Sequence, residues 1–206
     1  MKKNLALLLC IFLLSFLVAA VKKETSKQKV IKKMKKVVMV IAKNGFRDEE
    51  YFQPKEILTK AKIEVITASS SDGTAKGMLG AAQNIDITID EIDAKNYDAI
   101  IFIGGIGATE YFENEQAYKI IQETISSKKI LGAICIAPVI LAKVGVLKNK
   151  KVTVFSSKSE INEIKKYGAN YTGKNVEVDG SIVTASGPDA AKQFGIKILE
   201  LLKVDG

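Results

Sequence analysis

The chain has 206 residues, 47% of them hydrophobic, which is enough for one sizeable core and points to one domain. Its net charge of +8 resembles a nucleic-acid signature, but residues 1–36 hold ten lysines against one acid, Glu24, while residues 37–206 hold 21 basic and 22 acidic side chains. The main body is therefore near neutral, which removes the case for a nucleic-acid partner, and the lack of any histidine excludes Ser–His and Cys–His triads and most zinc sites.

The two cysteines are Cys10 and Cys135, so no disulfide framework exists. No cluster has metal-ligand spacing, and nothing calls for a metal or a cofactor.

Lys2 and Lys3 precede an apolar run from Leu5 to Val21, with small residues at Val18-Ala-Ala20. This layout fits a secretory signal peptide over residues 1–21, and the length also permits an uncleaved membrane anchor. Residues 22–36 form a polar linker with eight lysines. That charge favours the cytoplasmic side of a membrane and suits anionic lipid, so the expected address is membrane-anchored or exported, with the side open. The domain then spans residues 37–206.

Val37 to Ala42 is apolar on both faces and predicts a buried strand. A loop, Lys43 to Arg47, leads to Asp48, which caps a helix carrying Glu49, Glu50, Phe52, Ile57, Leu58 and Ala61. Ile63–Ala68 is the second strand. Lys76–Leu79 and Ile85–Thr88 read as a peripheral hairpin, and Asp90–Tyr97 as a short acidic helix or turn. Ala99–Ile103 is the third main strand, and Glu113–Ser127 a helix buried through Tyr118, Ile121 and Ile125.

Ile130–Ile134 is another buried strand. It runs into Cys135 and then into a helix that opens at Pro138, where a missing N–H costs nothing, and continues to Val146. Lys151–Phe155 is a strand, Ser159–Tyr167 a helix ended by Gly168, and Asn175–Val178 with Ser181–Ala185 a hairpin turning at Asp179-Gly180. Asp189–Leu202 is the last helix. Strands alternate with helices throughout. That predicts an α/β fold: a doubly wound, mostly parallel sheet with helices on both faces and a small β-hairpin.

Cys135 thus sits at a strand-to-helix turn, the context of a nucleophile elbow. Gly104 and Gly105 follow a neighbouring strand and end at the same edge of the sheet, where bare N–H groups can approach a ligand. Glu50 opens the helix after the first strand and faces the same crevice. It could donate a hydrogen bond or shuttle a proton. Taken alone, Cys135 also fits a small buried hydrophobe, and Glu50 a solvated first-turn acid.

Five stretches together resemble the ThiJ/PfpI superfamily, which includes the parkinsonism-associated deglycase and the PfpI-type intracellular protease. They are Val37-Val-Met-Val-Ile-Ala-Lys-Asn-Gly45, Asp48-Glu-Glu-Tyr-Phe-Gln-Pro54, Phe102-Ile-Gly-Gly-Ile-Gly107, Ala133-Ile-Cys-Ile-Ala-Pro138 and Ala185-Ser-Gly-Pro188. They occur in the family's order and cover roughly residues 36–203. The resemblance implies a flavodoxin-like fold, a homodimer, Cys135 as nucleophile with Glu50 as its carboxyl partner, and an oxyanion site at Gly104, Gly105 and the backbone of Ile136.

Two departures accompany it. Where PfpI-like members carry a histidine after the nucleophile, this chain has Ile136, and where the deglycase branch carries one in a later strand, it has Phe155. Peptidase activity is therefore unexpected. Glutamine-amidotransferase relatives need elbow glycines and a histidine, and neither is present. The resemblance leaves two expectations. One is a Cys-dependent, glyoxalase- or deglycase-like enzyme acting on small reactive carbonyls or their adducts. The other is a non-catalytic redox-sensing, protective or chaperone-like protein. In either case the helix terminus, the glycine N–H groups and a protonated Glu50 are expected to hold the Cys135 thiol below its ordinary pKa.

Overall fold

The computed structural model describes residues 34–204. The apolar run Leu5–Val21 and most of the lysine-rich linker lie outside the described residues. Among the described residues, no helix is long and apolar enough to cross a membrane.

The first strand, β1 (Lys36–Val40), starts one residue inside the expected linker. A three-residue strand, β2 (Asn44–Phe46), occupies the expected loop and leads into α1 (Asp48–Lys60). After β3 (Glu64–Ser69) come β4 (Thr74–Gly77) and β5 (Ala82–Asn84), then β6 (Ile87–Thr88). The expected hairpin is therefore β4–β5, and Ile87–Thr88 belongs to the main sheet instead. The acidic stretch Asp90–Tyr97 forms two short 3₁₀ turns. Next are β7 (Ala99–Phe102), α2 (Glu115–Ser126), β8 (Ile130–Ile134) and α3 (Pro138–Lys143), the last ending three residues short of Val146. The chain closes with β9 (Lys151–Val152), α4 (Lys158–Lys166), β10 (Asn170–Tyr171), β11 (Val176–Asp179), β12 (Ile182–Ala185) and α5 (Ala191–Val204).

Seven strands make the central sheet in the order β11-β12-β8-β7-β1-β3-β6. All neighbours are parallel except β11 against β12. Because β1 lies between β3 and β7, the strand order reverses there, and ligands bind outside the carboxyl ends of strands at such a point.

The strands' period-two alternation divides the core into two layers. Val38, Val40, Ile100, Phe102, Leu131 and Ala133 face α2, α3 and α4 through Ile120, Ile121, Ile140 and Ile164. Val37, Met39, Ile101, Ile130, Ile134 and Val183 face α1 and α5 through Tyr51, Leu58, Phe194 and Ile198. Every residue of β7 and β8 is buried, as unbroken apolar runs in a doubly covered parallel sheet require. In α2 the buried residues are Ala117, Ile120, Ile121 and Thr124, so the buried face is rotated from the expected one and Tyr118 and Ile125 lie at its margin.

Two local expectations fail for long-range reasons. Asp48 does not cap α1: the capping position is Arg47, with no side-chain bond. The Asp48 carboxylate instead accepts from the N–H groups of Leu79 (2.9 Å) and Ala81 (3.0 Å), anchoring the hairpin turn. The strand expected over Lys151–Phe155 pairs only at its first two residues, with β10. Beyond them, the Thr153 N–H donates to the Thr184 hydroxyl (2.9 Å) and the Phe155 N–H to the Cys135 carbonyl (2.8 Å). Those partners replace a strand ladder.

Candidate active site

The buried strand β8 ends at Ile134, and the chain must turn sharply to start α3. Cys135 makes that turn with φ of +63°. For a residue with a Cβ, this left-handed conformation costs about 1–2 kcal/mol. Surrounding bonds hold it in place: the Cys135 N–H donates to the Ala185 carbonyl (2.9 Å), and the Cys135 carbonyl accepts from Phe155. The residue is only 8% exposed.

At the end of β7 the chain passes through Gly104 and Gly105. A Cβ at Gly104 would lie 2.5 Å from the Cys135 Cβ, 2.6 Å from Glu50 Oε2 and 2.7 Å from the Ile134 carbonyl. Only a glycine lets cysteine, carboxyl and backbone converge there. Gly105 has φ of +95°, and a Cβ on it would lie 2.4 Å from the Arg47 nitrogen. The two loops are also tied directly, because the Arg47 N–H donates to the Gly104 carbonyl at 3.0 Å. In this way β7 positions the helix start that carries Glu50.

Glu50 is fully buried, and neither of its carboxyl oxygens has a hydrogen-bond partner of ordinary geometry. Burial pushes its pKa up from 4.5 to about 7, while the Cys135 thiol, the Gly104 N–H and the Arg47 charge act in the opposite direction. A carboxyl in this state exchanges a proton near neutrality, as a proton shuttle needs.

The expectation of a depressed thiol pKa is not met. Burial first, and the charge of Glu50 second, push the Cys135 thiol up to about 12. The N–H groups of Gly105 and Ile136 pull the other way without prevailing. The helix that was to supply the dipole has only six residues. The cysteine is almost fully buried beside the Glu50 carboxyl, with one side on a cavity.

The five residues expected at the site therefore meet: Cys135, Glu50 and Gly104 side by side, and Gly105 and Ile136 through their backbone N–H groups. Cys135, Glu50, Gly105 and Ile136 line a cavity of about 410 Å³. Phe155 lines it too, so both positions of the missing histidines face the cavity with apolar side chains.

Other lining residues were not foreseen. Arg47 is the only arginine in the chain, a distinction visible in the sequence. Its side chain holds Glu49 at two points (Nε 2.8 Å, Nη2 3.1 Å). Met78 comes from the hairpin, whose Met78 N–H donates to the Phe46 carbonyl (2.9 Å). Glu160 and Ser157 come from the start of α4, and Ile106, Thr109 and Pro188 complete the wall. Among the described residues, no group of three or more His, Cys, Asp or Glu side chains could hold a metal ion.

Known proteins share this arrangement of elements. The DJ-1/PfpI family model matches residues 35–201. An uncharacterised protein of Methanocaldococcus jannaschii is 40% identical over 169 residues, covering 82% of this chain and 82% of its own. A Thermococcus kodakarensis protein named as a deglycase is 30% identical over 81% of this chain and 99% of its own. The crystal structure of a ThiJ/PfpI domain protein from Brachyspira murdochii is 32% identical, with a TM-score of 0.80 over 84% of this chain and 98% of that one. Agreement in sequence and fold over nearly every described residue makes this chain a member of the DJ-1/PfpI family.

Proposed function

We propose that the chain is a Cys135-dependent enzyme acting on small reactive carbonyls or their adducts, with Glu50 moving the proton. One observation carries the reading: a fully buried carboxyl with no hydrogen-bond partner closes on an elbow cysteine at positive φ, and both open to one cavity. The deglycase name of the Thermococcus kodakarensis relative supports the same class of substrate.

With a 2-oxoaldehyde the steps balance without any external oxidant. The Cys135 thiol gives its proton to the Glu50 carboxylate as the sulfur bonds to the aldehyde carbon; the C=O π bond breaks, and its oxygen takes that proton from Glu50, giving a hemithioacetal. The N–H groups of Gly105 and Ile136 receive the developing oxyanion. The Glu50 carboxylate then removes the C1 proton and returns it at C2, while the C1 hydroxyl proton passes to the C2 oxygen. Carbon 1 is oxidised at the expense of carbon 2, leaving a thioester on Cys135. Water hydrolyses it to a 2-hydroxy acid and restores the thiol.

A second reading is a non-catalytic protective or chaperone-like member. It draws on the missing histidines and on the upward push on the thiol. Under it, Cys135 consumes at most one equivalent of carbonyl. Incubating the full chain with excess methylglyoxal and quantifying the 2-hydroxy acid separates the two. Many equivalents of product, lost in Cys135→Ser, support the enzyme. One equivalent or less refutes it.

A further inference from the structure

The groups around Cys135 also indicate what the carbonyl carries. The inference rests on the enzyme reading for the aldehyde end, and on the cavity alone for the rest of the substrate. Met78, Ile106, Ile136, Phe155 and Pro188 give the wall its apolar character. Several of the polar lining groups already hold partners. Arg47 grips Glu49 at two points, the Thr109 hydroxyl donates to the Ile106 carbonyl (2.9 Å), and the Ser157 hydroxyl accepts from the Glu160 N–H (3.4 Å). The remaining charged groups on the wall, Glu50 and Glu160, are both acids, and the single base there, Arg47, is already paired with Glu49, so the wall offers no free cation to an anionic substituent. A volume of about 410 Å³ lies in the range of sites that enclose drug-sized ligands, well beyond a three-carbon aldehyde.

We infer that this cavity selects carbonyl compounds with an unbranched apolar tail of several carbons, such as alkylglyoxals, over sugar-derived or anionic ones. The aldehyde carbon reaches the Cys135 sulfur as above, and the tail lies along Ile136 and Phe155 toward Met78 and Ile106. Ile106 is 70%, Met78 45% and Phe155 42% exposed. A tail between them covers surface that is otherwise in water, which drives its binding.

The test measures kcat/KM of the full chain for methyl-, propyl- and hexylglyoxal, with carboxyethylglyoxal, a 2-oxoaldehyde ending in a carboxylate, as the anionic control. The expected result is a rise of about fourfold for each methylene that enters the cavity, and a lower kcat/KM for carboxyethylglyoxal than for propylglyoxal. In Phe155→Asn, which keeps the backbone bond to Cys135, the hexyl-to-methyl ratio should fall at least tenfold. A second measurement needs no turnover: unreactive n-alkanols should protect Cys135 from iodoacetamide, more strongly with each added carbon. Protection that grows with length, without turnover of any glyoxal, overturns the enzyme reading and leaves the apolar-tail inference standing. Values of kcat/KM or protection that are flat or falling with length, or a preference for carboxyethylglyoxal over propylglyoxal, overturn the inference even if methylglyoxal is consumed.

Discussion

Replacing Glu50 with Gln should remove the lower step from the pH profile of Cys135 alkylation. Cysteine and carboxyl share one buried site, so their protons leave in steps that belong to the pair. The first step lies near the Glu50 value of about 7 and the second near the Cys135 value of about 12. Between them the pair carries one negative charge, mostly on the carboxylate and in a fixed minor share on sulfur. Alkylation needs the thiolate. The native rate should therefore rise through about pH 7, flatten, and rise again only as the second proton leaves. Between pH 8 and 9 it should rise less steeply than in the variant. In Glu50→Gln no carboxyl proton remains to be lost. The carboxylate's push on the thiol disappears, but burial persists, so the midpoint should fall below about 12 and stay above the ordinary 9.0. Over the same interval the variant rate should climb about tenfold per pH unit. The assay is iodoacetamide labelling followed by mass spectrometry of the Cys135 peptide, which keeps Cys10 separate. A single step with the same midpoint in both proteins would show that the two groups do not share a proton and refute the reasoning.

Glu50 binds its proton more tightly in the folded chain (about 7) than in the unfolded one (4.5). The resulting stability is full below pH 4.5 and is lost as pH rises through 7, a change of about 3 kcal/mol. Urea unfolding at pH 5 and pH 8 should show most of that loss in the native chain and a much smaller one in Glu50→Gln. Asp48→Ala should remove two charge-assisted bonds to the Leu79 and Ala81 N–H groups and cost about 2 kcal/mol. Limited proteolysis should then cut within Gly77–Ala81, and unchanged resistance would count against the anchor. A chain lacking residues 1–34 should unfold cooperatively, and fractionation should find the full chain with membranes or exported. Recovery of full-length protein wholly in the cytosol would contradict that address.

Much of the fold is legible because its strands are nearly continuous in hydrophobicity. Ile100–Phe102 and Ile130–Ile134 are apolar on both faces, and burial on both faces of a parallel sheet is where such runs go. The elbow is legible from Pro138 directly after the Cys135 turn, and the glycines from the end of β7. What could not be seen locally depends on distant partners. Asp48 looks like a cap until the turn at Leu79–Ala81 folds over it. Phe155 looks like strand until its N–H finds Cys135. The thiol's upward shift follows from the enclosing walls, since the helix terminus and glycine N–H groups were visible in the sequence and the depth of burial was not.

The most direct test of the Cys135–Glu50 pair is the intact and peptide mass of the full chain, acid-quenched during a single turnover of methylglyoxal. The pair predicts one adduct on the Cys135 peptide, transient in the native chain, absent in Cys135→Ser, and held at the reversible hemithioacetal in Glu50→Gln. Adducts confined to lysine and arginine peptides, with Cys135 unmodified at every quench time, would contradict it.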